Sequence, residues 1–159
     1  MIRNIFGAML ALFLAGCAAT GPIFTSAPSA DGKALVYVYR VQDAWAYRGV
    51  PTHIVVDGKD VVDLRSNGYS YFYLSPGHHE VTQKWPSYSD PFSRPENVAL
   101  DTGPGETRYI RFSVWTTNDM GRSGVGADWS FKEVPVFEAI NELPKLKFEV
   151  QNPKTGFSF

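Results

Sequence analysis

The chain has 159 residues, with 15 Lys+Arg against 16 Asp+Glu, 44% hydrophobic residues and a single cysteine. That length fits one domain with its own core. The near-neutral charge excludes a bulk electrostatic nucleic-acid binder, and the single cysteine excludes an intrachain disulfide framework and any cysteine-cluster metal site.

The N-terminus begins with one positive charge in Met1–Asn4, continues as an apolar run from Ile5 to Leu14, and ends in the small residues Ala15 and Gly16 before Cys17. This is the pattern of a secretory signal peptide over residues 1–16. The run is shorter than the roughly 20 apolar residues a membrane span requires, and no later segment approaches that length. Leu14-Ala15-Gly16-Cys17 resembles a bacterial lipobox. The resemblance implies lipid attachment to the Cys17 thiol, cleavage between Gly16 and Cys17, and acylation of the new terminus. Acidic Asp at the sorting position favours the inner membrane in such proteins; Ala18 stands there instead, which implies the outer membrane of a two-membrane bacterium. Residues 17–33 are small, Pro- and Gly-containing and aperiodic, and read as a lipidated flexible tether. Ile23 and Phe24 interrupt it and are expected to pack on the domain or on the lipid surface.

Residues 34–159 read as the folded domain. Ala34–Tyr39 is β-branched and aromatic with two apolar faces, which predicts a central strand. Ala44–Gly49 is a loop that carries Trp45 and Tyr47. Thr52–Val56 and Val61–Leu64 flank Asp57-Gly58-Lys59, a hairpin signal that leaves the register open because both strands carry paired valines. Tyr69–Leu74 is a strand with Tyr69, Tyr71 and Tyr73 on one face. Ser75-Pro76-Gly77-His78 turns it into Glu80–Trp85, its expected hairpin partner. Pro86–Pro95 is a loop, Asn97–Leu100 a short strand and Gly103-Pro104-Gly105 a turn. Thr107–Trp115 alternates, with Ile110, Phe112 and Val114 inward and Arg111 and Ser113 outward. Polar, Gly-rich Thr116–Asp128 reads as a long loop. Val136, Ala139, Ile140 and Leu143 fall on one helical stripe, with Pro135 at its start and Pro144 at its end, and this stripe is expected to dock on the sheet. Lys145–Val150 is a last strand. The pattern predicts a mainly β fold, an antiparallel β-sandwich with one short helix near the C-terminus.

Ala34-Leu35-Val36-Tyr37-Val38-Tyr39-Arg40, the Val56-Asp57-Gly58-Lys59 hairpin, Leu74-Ser75-Pro76-Gly77-His78-His79 with Val81, and Gly105–Arg111 together resemble the DUF2846 family of small lipoproteins. The resemblance runs from about Lys33 to Leu143. The Pro-Gly-His turn also resembles PEGA and transthyretin-like sandwiches. What this implies concerns fold and location; the family offers no catalytic activity to carry over.

No catalytic constellation emerges, and no cofactor or metal is called for. His78 and His79 are neighbours on a strand and point to opposite faces, so they do not chelate one ion together; His53 stands apart. Ser123 lacks the second glycine of a nucleophile elbow. Asp57, Asp60 and Asp63 lack the density of a calcium loop. The aromatics stay open: the strand tyrosines are expected to fill the space between the sheets, whereas Trp45, Trp85 and Tyr88 are candidates for a partner surface. The expectation is a lipid-anchored envelope protein, facing the periplasm, with a non-enzymatic interaction or structural domain. Its partners are the membrane and an envelope protein or glycan, and not nucleic acid. The alternative is a small-ligand or glycan binder, or a hydrolase, working through loops 85–95 and 116–128.

Overall fold

The computed structural model of the chain describes residues 18–89, 94–119 and 124–152. The expected signal peptide, Gly16, Cys17 and Ser123 lie outside them. Among the described residues nine strands form two stacked sheets. They are β1 (Ala34–Gln42), β2 (Thr52–Val56), β3 (Lys59–Leu64), β4 (Gly68–Leu74), β5 (Gly77–Lys84), β6 (Glu96–Thr102), β7 (Thr107–Asp119), β8 (Gly124–Glu133) and β9 (Lys147–Phe148). One sheet has the order β8-β7-β1-β4-β9 and the other β3-β2-β5-β6. The mainly β, two-sheet sandwich is as expected, and β1 is the central strand of the larger sheet. The four-stranded sheet is antiparallel throughout, but β1 pairs with β7 and β4 with β9 in parallel.

The first core lies between the sheets. Val36 and Val38 of β1, Phe72 of β4, and Ile110, Phe112 and Val114 of β7 face Ile54, Val62, Val81 and Leu100 across the gap. Asp57 and Gly58 both take positive φ (49° and 80°), the backbone that a two-residue hairpin of matching twist demands. A β-bulge beside Ile54 and Val55 settles the register: Val61 is the extra residue, so Val61 and Val62 are both buried.

A second core lies on the outer face of the five-stranded sheet, and it holds the strand tyrosines. Tyr37, Tyr39, Tyr69 and Leu35 pack with Val134, Ala139, Leu143 and Leu146, not between the sheets as expected. Successive side chains alternate faces, so β1 must satisfy two layers, and this is why both of its faces are apolar. The helix α1 (Val136–Glu142) covers part of this face. Its buried residue is Ala139, and Leu143 in the following 3-10 turn is also buried; Val136 and Ile140 are more than half exposed, as is Phe137, so the expected stripe is corrected to a narrower one.

The rest of the outer face is covered by residues 18–30. This segment, read as a tether, is laid along the sheet. Ala18 bridges to Ser66, Ile23 bridges to Lys147, and the Phe148 N–H donates to the Pro22 carbonyl at 2.8 Å. The Phe24 ring sits 5.6 Å from Tyr37 and 5.1 Å from Tyr69, and the Tyr37 hydroxyl accepts the Ala27 N–H at 2.7 Å. Ala19 is buried.

One end of the sandwich, where β1 finishes, is closed by Arg40. The side chain points between the sheets and has no exposed surface. Its Nε and Nη2 donate to Gln42 Oε1 at 3.0 and 2.6 Å, Nη2 also donates to the Tyr47 carbonyl at 2.8 Å, and Nη1 donates to the Val50 carbonyl at 2.6 Å. The guanidinium lies over Trp85 and Phe112. Burial lowers its pKa to about 10, which leaves it charged near neutrality. Arg40→Met should therefore destabilise the fold by about 3 kcal/mol, because it strands several buried acceptors, each costing about 1–3 kcal/mol. The urea midpoint reads this loss. Arg40→Lys, which lacks the planar fork, should recover only part of it.

Candidate functional site

The three histidines each meet an aspartate. His53 Nδ1 lies 2.6 Å from Asp63 Oδ1 across β2 and β3, His78 Nδ1 lies 2.9 Å from Asp101 across β5 and β6, and His79 Nδ1 lies 2.7 Å from Asp57. The first two pairs are direct cross-strand partners, so sheet register alone brings them together. His79 is the most enclosed of the three. Its second nitrogen faces the Ser75 carbonyl at 2.7 Å, so both ring nitrogens face acceptors. Burial works against its cation, but the Asp57 carboxylate and the Ser75 carbonyl outweigh that and raise its pKa. Burial likewise works against ionised Asp57, but His79 and the Glu80 N–H hold its pKa below the usual value. With both nitrogens facing acceptors, the protonated ring donates to Asp57 and to the Ser75 carbonyl at once, which favours the cation.

Two clefts lie among the described residues. One of about 440 Å³ lies between the end of β1 and the 3-10 turn, and is lined by Asp43, Arg111, Glu142 and Lys145 among others. Arg111 and Glu142 pair at 2.8 Å, and Glu142 also accepts the Tyr39 hydroxyl at 2.7 Å. Another cleft, of about 410 Å³, lies beside Arg65 and Glu149. Burial raises the pKa of Glu149, against the pull of Arg65 at 3.4 Å. Neither cleft is lined by a histidine.

The aromatic candidates separate. Trp85 is a core residue, not a partner-surface residue. It is buried, with Tyr47 at 4.7 Å, Phe112 at 5.4 Å and Trp129 at 5.8 Å. The sequence places it at a strand end beside Pro86, which reads as a loop; the cation of Arg40 at 5.2 Å is what draws it inward. Trp45 and Tyr88 are exposed, at 67% and 77%. The region Thr116–Asp128 is not a long loop either. Thr116–Asp119 pairs with Gly124–Ala127, and Trp115 with Asp128, so β7 and β8 continue as a hairpin past the end of β1. Polar residues conceal this strand because apolar alternation is read only where one face is buried. Both corrections remove residues on which a loop-borne binding or hydrolytic site was expected to rest.

The residues that reasoning from the sequence missed are those that set the Trp45 loop. Gln42 is buried, its oxygen taken by Arg40, and its Nε2 donates to the carbonyls of Ala44 and Ala46 at 2.7 and 2.8 Å. These are the two residues flanking Trp45. The Asp43 and Ala44 N–H groups donate to the Val114 carbonyl at 3.1 and 3.2 Å. Ser66 Oγ donates to the Arg48 carbonyl at 2.6 Å. The only trace in the sequence is the polar pair Arg40 and Gln42 on the inward face of an otherwise apolar strand.

The His79–Asp57 pair gives a pH prediction. A raised histidine pKa contributes stability that is complete below the unfolded value, about 6.5, and is lost as pH rises through the folded value. A lowered aspartate pKa contributes stability above its unfolded value, about 3.9, and loses it as pH falls through the folded one. The melting-temperature gap between wild type and His79→Gln should be widest near pH 5–6 and narrow toward pH 8. A gap that is flat with pH would count against the ionic pair.

A search of the curated proteins finds no match to this chain. The family model described as "Protein of unknown function (DUF2846)" matches residues 30–125, which is more than half of the chain and runs from the turn before β1 into β8. The matched span contains the Asp57-Gly58 hairpin, the Pro76-Gly77 turn and the buried Arg40, and the chain belongs to the DUF2846 family.

Proposed function

We propose that this protein is a lipid-anchored component of a bacterial envelope whose β-sandwich serves as a non-enzymatic interaction or structural module. The observation that carries the anchor is the position of Cys17. It is the sole cysteine of the chain, and it stands at the end of an apolar run after the small residues Ala15 and Gly16. One acyl chain binds a bilayer only marginally, and stable anchoring takes two signals; a diacylglyceryl cysteine acylated at its amine has three chains. With Ala18 at the sorting position, the expected site is the periplasmic face of the outer membrane.

The module reading is supported by how the titratable groups are used. Among the described residues, His53 and His78 are each engaged by a cross-strand carboxylate at open sheet surface, and His79 by the carboxylate of the hairpin residue Asp57. The most enclosed charges, Arg40 and Glu149, serve closure of the sandwich and its edge.

Cys17→Ser should abolish acyl labelling in vivo and move the protein from the membrane to the soluble fraction. Retention of both labelling and membrane fractionation in that variant would overturn the anchor.

A further inference from the structure

The segment that follows Cys17 has no slack. Ala18 bridges to Ser66, and the Ala19 N–H donates to the Ser66 carbonyl at 3.3 Å. A trans peptide separates consecutive Cα atoms by about 3.8 Å, so Cys17 Cα lies within that distance of a residue fixed to the domain. A lipid on Cys17 therefore holds one particular end of the sandwich at the bilayer.

That end carries two accessible tryptophans. Ser66 receives the Trp45 loop through the Arg48 carbonyl, and the Val114 carbonyl ties the start of the same loop to β7 just before Trp115. Neighbouring strands lie about 4.8 Å apart, so the start of β4, the end of β1 and Val114 of β7 span only about 10 Å. Trp45 is 67% exposed and Trp115 is 38% exposed. The exposure of Trp45 is built rather than incidental, because Gln42 pins the carbonyls on either side of it and leaves the ring outside. Exposed Arg48 lies in the same loop. Tryptophan at the headgroup level buries its ring edge while its N–H stays hydrated, and arginine there meets phosphate.

Resting on the proposed anchor, we infer that this end of the sandwich lies against the lipid surface that holds Cys17, with Trp45 and Trp115 in the headgroup region. The docked segment 18–30 sets the orientation. Released, its 13 residues could reach about 45 Å, enough for the domain to leave the surface and tumble. Docked, they hold the Trp45 end down and the opposite end, with β1's first residue and the Pro76 turn, away from the membrane.

The test uses the full-length lipidated protein in phosphatidylcholine vesicles with brominated acyl chains, compared with unbrominated ones. Tryptophan emission should fall in the brominated vesicles. Trp45→Phe combined with Trp115→Phe should remove the quenched component, because the remaining Trp85 is buried in the core cluster and Trp129 packs, partly buried, against it. Gly21→Val supplies the second arm: a Cβ at Gly21 would lie 2.1 Å from the Phe148 carbonyl oxygen, so the variant cannot keep the segment docked. It should still float with the vesicles yet lose most of the quenching. Wild-type protein that floats with vesicles but is unquenched overturns the orientation, leaves the anchor standing and frees this end for a partner protein. Unchanged quenching in the double tryptophan variant, or in Gly21→Val, also overturns it. Protein that does not float overturns the anchor and the orientation together.

Discussion

A cation placed between two β-sheets, with neutral acceptors around it, is the constraint from which much of this structure follows. Removing a guanidinium from water is costly, and the described residues provide no carboxylate against Arg40. What compensates is an array of dipoles: the Gln42 side-chain oxygen, the carbonyls of Tyr47 and Val50, and the faces of Trp85 and Phe112. Each of those groups is then no longer free to be elsewhere. Tyr47 adopts φ of 58°, a backbone that is unfavourable for a large side chain, and its carbonyl is held there by Arg40. Gln42 is oriented by the same cation and passes the constraint on to Ala44 and Ala46. The loop that follows β1 thereby acquires a defined shape.

A second constraint comes from the central strand. In a two-layer sandwich one face of each sheet is normally wet, and alternation is the usual signature. β1 is apolar on both faces, so its outer face needs a cover. The helix alone is too short to supply one and buries few residues. The N-terminal segment supplies the remainder: Phe24 fills the space over Tyr37 and Tyr69, and the tyrosine hydroxyls satisfy its backbone, with Tyr37 accepting from Ala27 and Tyr69 from Thr25. Tyr73 donates to the carbonyl of Pro28. Tyrosine suits this layer because the ring contributes apolar area while the hydroxyl meets a segment that has no sheet partner for much of its length.

This explains what could be read from the residues and what could not. The hairpin announced by Asp57-Gly58, the inward face of Ile110, Phe112 and Val114, and the central place of β1 are local patterns, and local patterns are legible. The Pro76-Gly77 turn is legible as a turn, but the hairpin expected around it is corrected: β4 lies in one sheet and β5 in the other, so the turn carries the chain between the layers. The two parallel pairings are not, because they join strands distant in sequence. Nor are the burial of Trp85, which depends on a cation forty-five residues earlier, and the docking of residues 18–30, whose composition is that of a linker and whose order derives from the tyrosines beneath it. Val136 and Ile140 show the converse. Their spacing fits a buried stripe, but the helix is seated through Ala139, whose small side chain allows close approach to the sheet, and the larger residues are left outside.

The two constraints meet at one end of the molecule. Arg40 closes the sandwich there and fixes the Trp45 loop; the docked segment enters there through Ala18 and Ser66; and Ser66 Oγ joins the two by its bond to Arg48. Ser66 sits on the short link between β3 and β4, which crosses from one sheet to the other, and Asn67 on the same link adopts φ of 55° while its side chain accepts the Gln42 N–H at 3.2 Å. A surface domain on a long free linker has no need of such a junction, because its orientation would be averaged. Polar groups buried in a network restrict the chain to one arrangement at a cost in desolvation. Their concentration at this end ties the two sheets, the Trp45 loop and the start of the docked segment into one junction.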